Sequence, residues 1–191
     1  MAETISPVVH GGRNRRYWSS LALHVVAATV TAGAFGGLLG GAGALARAPW
    51  GSVGATIVCI VAGLYVLREA AGLPVPVFDR HRQVPEWWRT YFSAPVAALL
   101  YGAGLGIGFM TFLTFGTFVA VSVGAFLSGD VVTGIVICAP FGLARSLALL
   151  TASEDRDTVH RLDSLATTRG PRLLNAAALA AVTIAGISTL I

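Results

Sequence analysis

The apolar positions of this chain fall in long unbroken blocks, and two polar stretches, around 72–92 and 151–172, divide them. Blocks of this kind suit helices immersed in lipid, because a helix needs roughly 20 apolar residues to cross a hydrocarbon core of about 30 Å. Cut at that length, the sequence predicts six spans, at 19–45, 51–71, 90–107, 109–127, 131–151 and 172–191. Residues 90–129 carry no charge; as one helix they would reach about 60 Å, twice the core, so they read as two spans. The hairpin is placed at Gly102, Gly104, Gly106 and Gly108, where the backbone can reverse tightly. The expected fold is all-α, a polytopic membrane protein of six transmembrane helices.

Residues 1–18 form a tail with Arg13, Arg15 and Arg16, closed by the interfacial aromatics Tyr17 and Trp18. The apolar run behind them is far longer than the roughly 7–15 residues of a secretory signal core. Spans one and two, within 19–71, therefore begin with an uncleaved helix despite the Ala44-Leu45-Ala46 triplet. The linker 72–89 holds Pro74, Pro76 and Pro85, which oppose a regular helix, and Trp87, Trp88 and Tyr91 mark where spans three to five, 90–151, begin. In 152–171, Arg156, Arg161 and Arg169 mix with Glu154, Asp155, Asp157 and Asp163, while Val159, Leu162 and Leu165 recur at helical spacing. That pattern predicts an amphipathic surface segment, ended by Gly170 and Pro171 ahead of span six at 172–191.

Composition sharpens the picture. Hydrophobic residues make up 55% and charged ones 12%, against about 25% charged in a soluble domain. With two cysteines and scattered basic residues, the chain is neither a disulfide-stapled secreted domain nor a nucleic-acid binder. All 13 basic residues are arginine. Six spans put Arg13, Arg15, Arg16, Arg68, Arg80, Arg82 and Arg89 on one side and Arg47, Arg156, Arg161, Arg169 and Arg172 on the other. The bias predicts a multi-pass protein of the inner (plasma) membrane with a cytoplasmic N-terminus. An offset of 79 residues pairs Cys59 with Cys138, Gly63 with Gly142 and His81-Arg82 with His160-Arg161. Two halves of three spans each would make an inverted 3+3 repeat.

Several residue groups could carry chemistry. Gly33, Gly37 and Gly41 recur every four residues, a stripe that lets helices pack closely, with Gly36 and Gly40 forming a second stripe beside it. Thr111, Thr114 and Thr117 share one face of a helix and could line a pathway without burying charge, or bond back to their own helix. Pro140 frees a backbone carbonyl upstream, and Arg145 stands inside a span, where burying a guanidinium costs at least about 2.5–3.5 kcal/mol. Cys59 and Cys138 are either small buried hydrophobes or a thiol pair able to exchange with a disulfide. Arg68 and Glu69 read as interfacial, and Asn175 as a bond to a neighbouring helix. No spacing of Cys, His or carboxylates suits a metal, and no nucleotide or cofactor motif appears, so neither metal nor cofactor is expected.

Six short spans in two triplets, glycine-rich first spans and one cysteine per half resemble the cytochrome c biogenesis transmembrane family, the CcdA and DsbD membrane-domain type, in the wider group of lysine-exporter-like proteins. That family carries electrons between thiol proteins through cysteines beside proline in its first and fourth spans. Here those positions read Phe35-Gly36-Gly37 and Thr114-Phe115-Gly116, and the cysteines stand in spans two and five. The resemblance implies a protein moving reducing equivalents or a small solute, with Cys59 and Cys138 as the redox pair and a thioredoxin-like protein or another membrane subunit as partner. The competing expectation is a non-catalytic membrane scaffold or accessory subunit that binds a partner through glycine-rich helix faces.

Overall fold

The computed structural model describes residues 15–48, 51–76, 87–108, 116–152 and 169–188, and among them every regular element is a helix. In chain order these are α1 (Arg15–Leu45), α2 (Ser52–Ala71), the single turn α3 (Trp88–Tyr91), α4 (Ala94–Gly106), α5 (Thr117–Leu127), α6 (Val131–Ala152) and α7 (Arg169–Ser188). Local chemistry sets several ends. Gly72 takes the left-handed conformation, φ 73°, and its N–H closes α2 on the Arg68 carbonyl. Ser93 and Pro95 start α4. Asp130 caps α6, its Oδ2 accepting the Thr133 N–H at 2.6 Å.

The expectation of six transmembrane helices is met only in part. Among the described residues, α1 and α2 are long and apolar enough to cross a membrane. The 13 residues of α4 and the 11 of α5 reach about 20 Å and 16 Å at 1.5 Å per residue, well short of a hydrocarbon core. The charge-free block 90–129 misled the count because hydropathy does not say where a helix stops. Its described residues form the turn α3, then α4, which stops short of Gly108 with its φ of 75°, and α5, while 109–115 lie outside the described residues. The expected amphipathic segment falls largely on 153–168, and most of the proline-rich linker on 77–86, outside the described residues.

α1 is the centre of the bundle. α6 runs antiparallel along one side of it, α4 lies along another, and α5 touches α1, α2 and α6. α2 packs against α7 and α5. The α1–α6 contact is made backbone to backbone: a Cβ on Gly36 would strike the Gly134 carbonyl and lie 2.6 Å from Cys138 Cβ. Lower down, Gly142 faces the Ala28 carbonyl, which Gly106 of α4 meets from the other side. Ala28 and Ala32 are accordingly almost fully buried. Small residues let the backbones approach closely, so dispersion between them holds the helices together. The outside is apolar, with Val26, Val30 and Leu38 of α1 and Ile60 and Leu64 of α2 all exposed.

Candidate functional site

The densest polar cluster joins the end of α2 to the starts of α5 and α7. Tyr65 and Glu69 stand one turn apart on α2 and close around Gly116: a Cβ there would run into the Tyr65 ring, and the Gly116 N–H donates to Glu69 Oε1 at 3.4 Å. Glu69 is 6% exposed, so its carboxylate needs partners; it has the adjacent Arg68 guanidinium and the N-terminus of α5, where the helix dipole favours an anion. Arg68 also donates from Nε to the Val75 carbonyl at 3.0 Å, and the Tyr65 hydroxyl donates to the Pro76 carbonyl at 2.9 Å. These bonds pin the start of the linker to α2. Thr117 donates its hydroxyl to Asn175 Oδ1, tying α5 to α7.

A second polar group lies at the α1–α4 contact. His24 is fully buried, with Nδ1 3.1 Å from the Ala98 carbonyl. Since a carbonyl only accepts, Nδ1 carries the proton, and Nε2 is left as an acceptor without a partner among the described residues. One turn earlier, the buried hydroxyl of Ser20 also lacks one among the described residues. The third group is aromatic: Phe118 of α5 stacks on Phe35 at 5.9 Å and meets Phe141 of α6 at 5.7 Å.

The residues singled out by sequence are distributed among these features. Arg145 lies over the Phe141 ring at 6.0 Å and donates to the Leu105 carbonyl at 3.5 Å, so it caps the C-terminal end of α4. Pro140 is exposed on the outer side of α6, away from the buried Cys138. Cys59 packs toward α7, its Sγ 3.6 Å from the Thr183 carbonyl, whereas Cys138 lies against Gly36 of α1, and both thiols are free. The two cysteines thus serve different helix contacts. Thr117 bonds Asn175, and Thr111 and Thr114 lie outside the described residues. Gly33, Gly37 and Gly41 meet only side chains, from Val131, Ile135 and Ala139, apart from the Ile135 carbonyl 4.0 Å from Gly33. The closest approach belongs to Gly36, Gly40 and Gly43 instead. Among the described residues no group of three His, Cys, Asp or Glu could hold a metal ion.

Sequence reasoning missed the burial of Glu69 and of the Ser20 hydroxyl. For Glu69 a signal existed: its place one turn after Tyr65, on the face of α2 that also carries Ala62. For Ser20, nothing in the sequence shows which helix covers it.

A glycine-packed helical bundle, in which two helices among the described residues are long and apolar enough to cross a membrane, is the class this architecture defines. The chain is 33% identical over 113 residues to the methylamine utilization protein MauF of Paracoccus denitrificans, covering 59% of this chain and 41% of that one. It is 31% identical over 140 residues to MauF of Methylophilus methylotrophus, covering 71% and 48%, and 32% identical over 126 residues to MauF of Methylobacillus flagellatus, covering 65% and 44%. The chain spans less than half the length of these curated relatives. No family model and no solved structure matches it.

These relatives correct the expected resemblance: they are methylamine utilization proteins, not members of the cytochrome c biogenesis family. They also overturn the reading of a carrier of reducing equivalents or solute. The resemblance rested on span rhythm and glycine content, which any tightly packed helical membrane bundle shares.

Proposed function

We propose that the protein is a non-catalytic membrane scaffold, an accessory subunit in methylamine utilization. The similarity to MauF over 59–71% of the chain carries this reading. The bundle supports it: Asp130 and Arg145 cap helices, and Glu69 and Thr117 join helix ends. The protein sits in the inner (plasma) membrane as a multi-pass chain with its N-terminus in the cytoplasm, supported by the span-length α1 and α2 and by Arg13, Arg15 and Arg16. An inverted repeat is supported by the 79-residue offset, which carries Ser52–Ala71 onto 131–150 within α6, and by the way α1 packs on α6 as α5 packs on α2. The partner is another membrane subunit that docks on α2, where Ile60, Leu64 and Leu67 are exposed and Gly63 has open space around it.

Deleting the gene in its native host tests the assignment. Growth on methylamine as sole nitrogen source should fail while growth on ammonium continues, and the wild-type gene should restore it. The Gly63→Phe variant should reach the membrane at normal levels yet restore growth poorly. Unchanged growth of the deletion strain on methylamine would sink the proposal.

A further inference from the structure

The C-terminal third of α1 and the first turns of α6 leave between them an open groove of about 770 Å³. Gly37 and Gly41 form its floor and Leu38, Leu45, Val131 and Ile135 its walls, so the lining is apolar. From Ala34 to Leu45, α1 rises about 16 Å, close to half a hydrocarbon core of about 30 Å. The groove is therefore one leaflet deep. A partner helix would need a seat running on past Ala34, but there Ile135 and Ala139 already stand 3.4 and 3.5 Å from the Cβ position of Gly33.

Charge gathers at the outer mouth. Arg47, exposed and held at φ 48°, lies two residues beyond Leu45 of α1, and exposed Asp130 stands just before Val131 of α6, at the end where the Cβ position of Gly43 is 3.4 Å from Gly129 Cα. Asp130 uses Oδ2 to cap its helix, and among the described residues neither Arg47 nor Asp130 has an ion-pair partner. A mouth with one cation and one anion, unpaired to each other, complements a zwitterionic headgroup better than an anionic one. We infer that the groove is a lipid site holding one acyl chain of a phosphatidylethanolamine-type phospholipid, with the phosphate at Arg47 and the ammonium at Asp130. This rests on the membrane placement proposed above.

The test uses the full chain in nanodiscs of mixed phosphatidylethanolamine and phosphatidylglycerol, with retained lipid counted by native mass spectrometry. Wild type should retain phosphatidylethanolamine above its bulk fraction. Gly41→Leu, which fills the groove, should lose it, and Gly63→Leu on α2 should not. Arg47→Gln, at an exposed position that does not threaten folding, should lower retention roughly tenfold, the size of one lost charge-assisted contact. Asp130→Asn, which keeps the cap, should shift preference toward phosphatidylglycerol. Retention at the bulk ratio, or equal retention by wild type, Gly41→Leu and Arg47→Gln, would overturn the inference. So would a photo-crosslinking residue at Leu38 that captures protein instead of lipid. Resistance to carbonate extraction reports separately on membrane placement.

Discussion

Gly36 and Gly41 are five residues apart in one glycine-rich run, yet a methyl group means different things at each. At Gly36 it meets the Gly134 backbone and Cys138, and backbone cannot rotate aside, so α1 and α6 must separate. Gly36→Ala should cost about 1–3 kcal/mol. At Gly41 the added Cβ lies 3.5 Å from Val131, an ordinary contact, and Ala is the better helix former, so Gly41→Ala should be neutral or stabilising. Thermal unfolding of the two variants in the same detergent separates them. Asp130 adds a pH-dependent contribution: the Thr133 N–H and hydroxyl hold its carboxyl below the usual aspartate range. A depressed folded pKa contributes stability that is complete above the ordinary value near 4 and is lost as pH falls through the folded value. Hydrogen exchange in the first turn of α6 should therefore speed up as pH drops below about 4, beyond its intrinsic pH dependence. In Asp130→Asn that extra acceleration should disappear.

Helix ends are joined here by few side chains, so each junction can be cut singly. Arg145→Met should remove the cap from α4 at a cost of about 1 kcal/mol, with faster exchange at Leu105–Gly108, and Arg145→Lys should recover part of it. Glu69→Gln should loosen α5 at Gly116 and the linker at Val75 and Pro76, costing about 1–3 kcal/mol, read as lost exchange protection in both segments. These junctions explain what the sequence could and could not reveal. Hydropathy exposed α1, α2 and α6, because length and apolar content alone define them, and Asn175 was read correctly as reaching another helix. It could not divide 90–129, since the stop of α4 depends on Gly108 adopting positive φ. Nor could it choose between the glycine stripes, because Gly33, Gly37 and Gly41 differ from Gly36, Gly40 and Gly43 only in the direction each faces. Which direction carries a neighbour is decided by α6, almost a hundred residues away along the chain.

Among the described residues the helices form two contact groups that α5 joins: α1 with α4 and α6, and α2 with α7. A chain ending after residue 152 should keep the first group folded and protease-resistant. It should also uncover Cys59, which α7 covers, while Cys138 stays shielded beneath α1. Alkylation followed by mass measurement should find a single adduct in the truncated chain and none in the full one under the same brief exposure. Labelling of both thiols would show that the two groups do not hold independently. The central place of α1 has a further consequence, which lies in time. α1 leaves the ribosome before α6, so the glycines of α6 that receive it, Gly134 and Gly142, are synthesised about a hundred residues later, a wait of roughly 5–20 s at 5–20 residues per second. During that interval the small-residue faces of the first helix stand open to any other helix that passes. Substitutions at Gly134 or Gly142 should therefore act as late-assembly defects, leaving a newborn helix available to the wrong neighbour and to quality-control proteases.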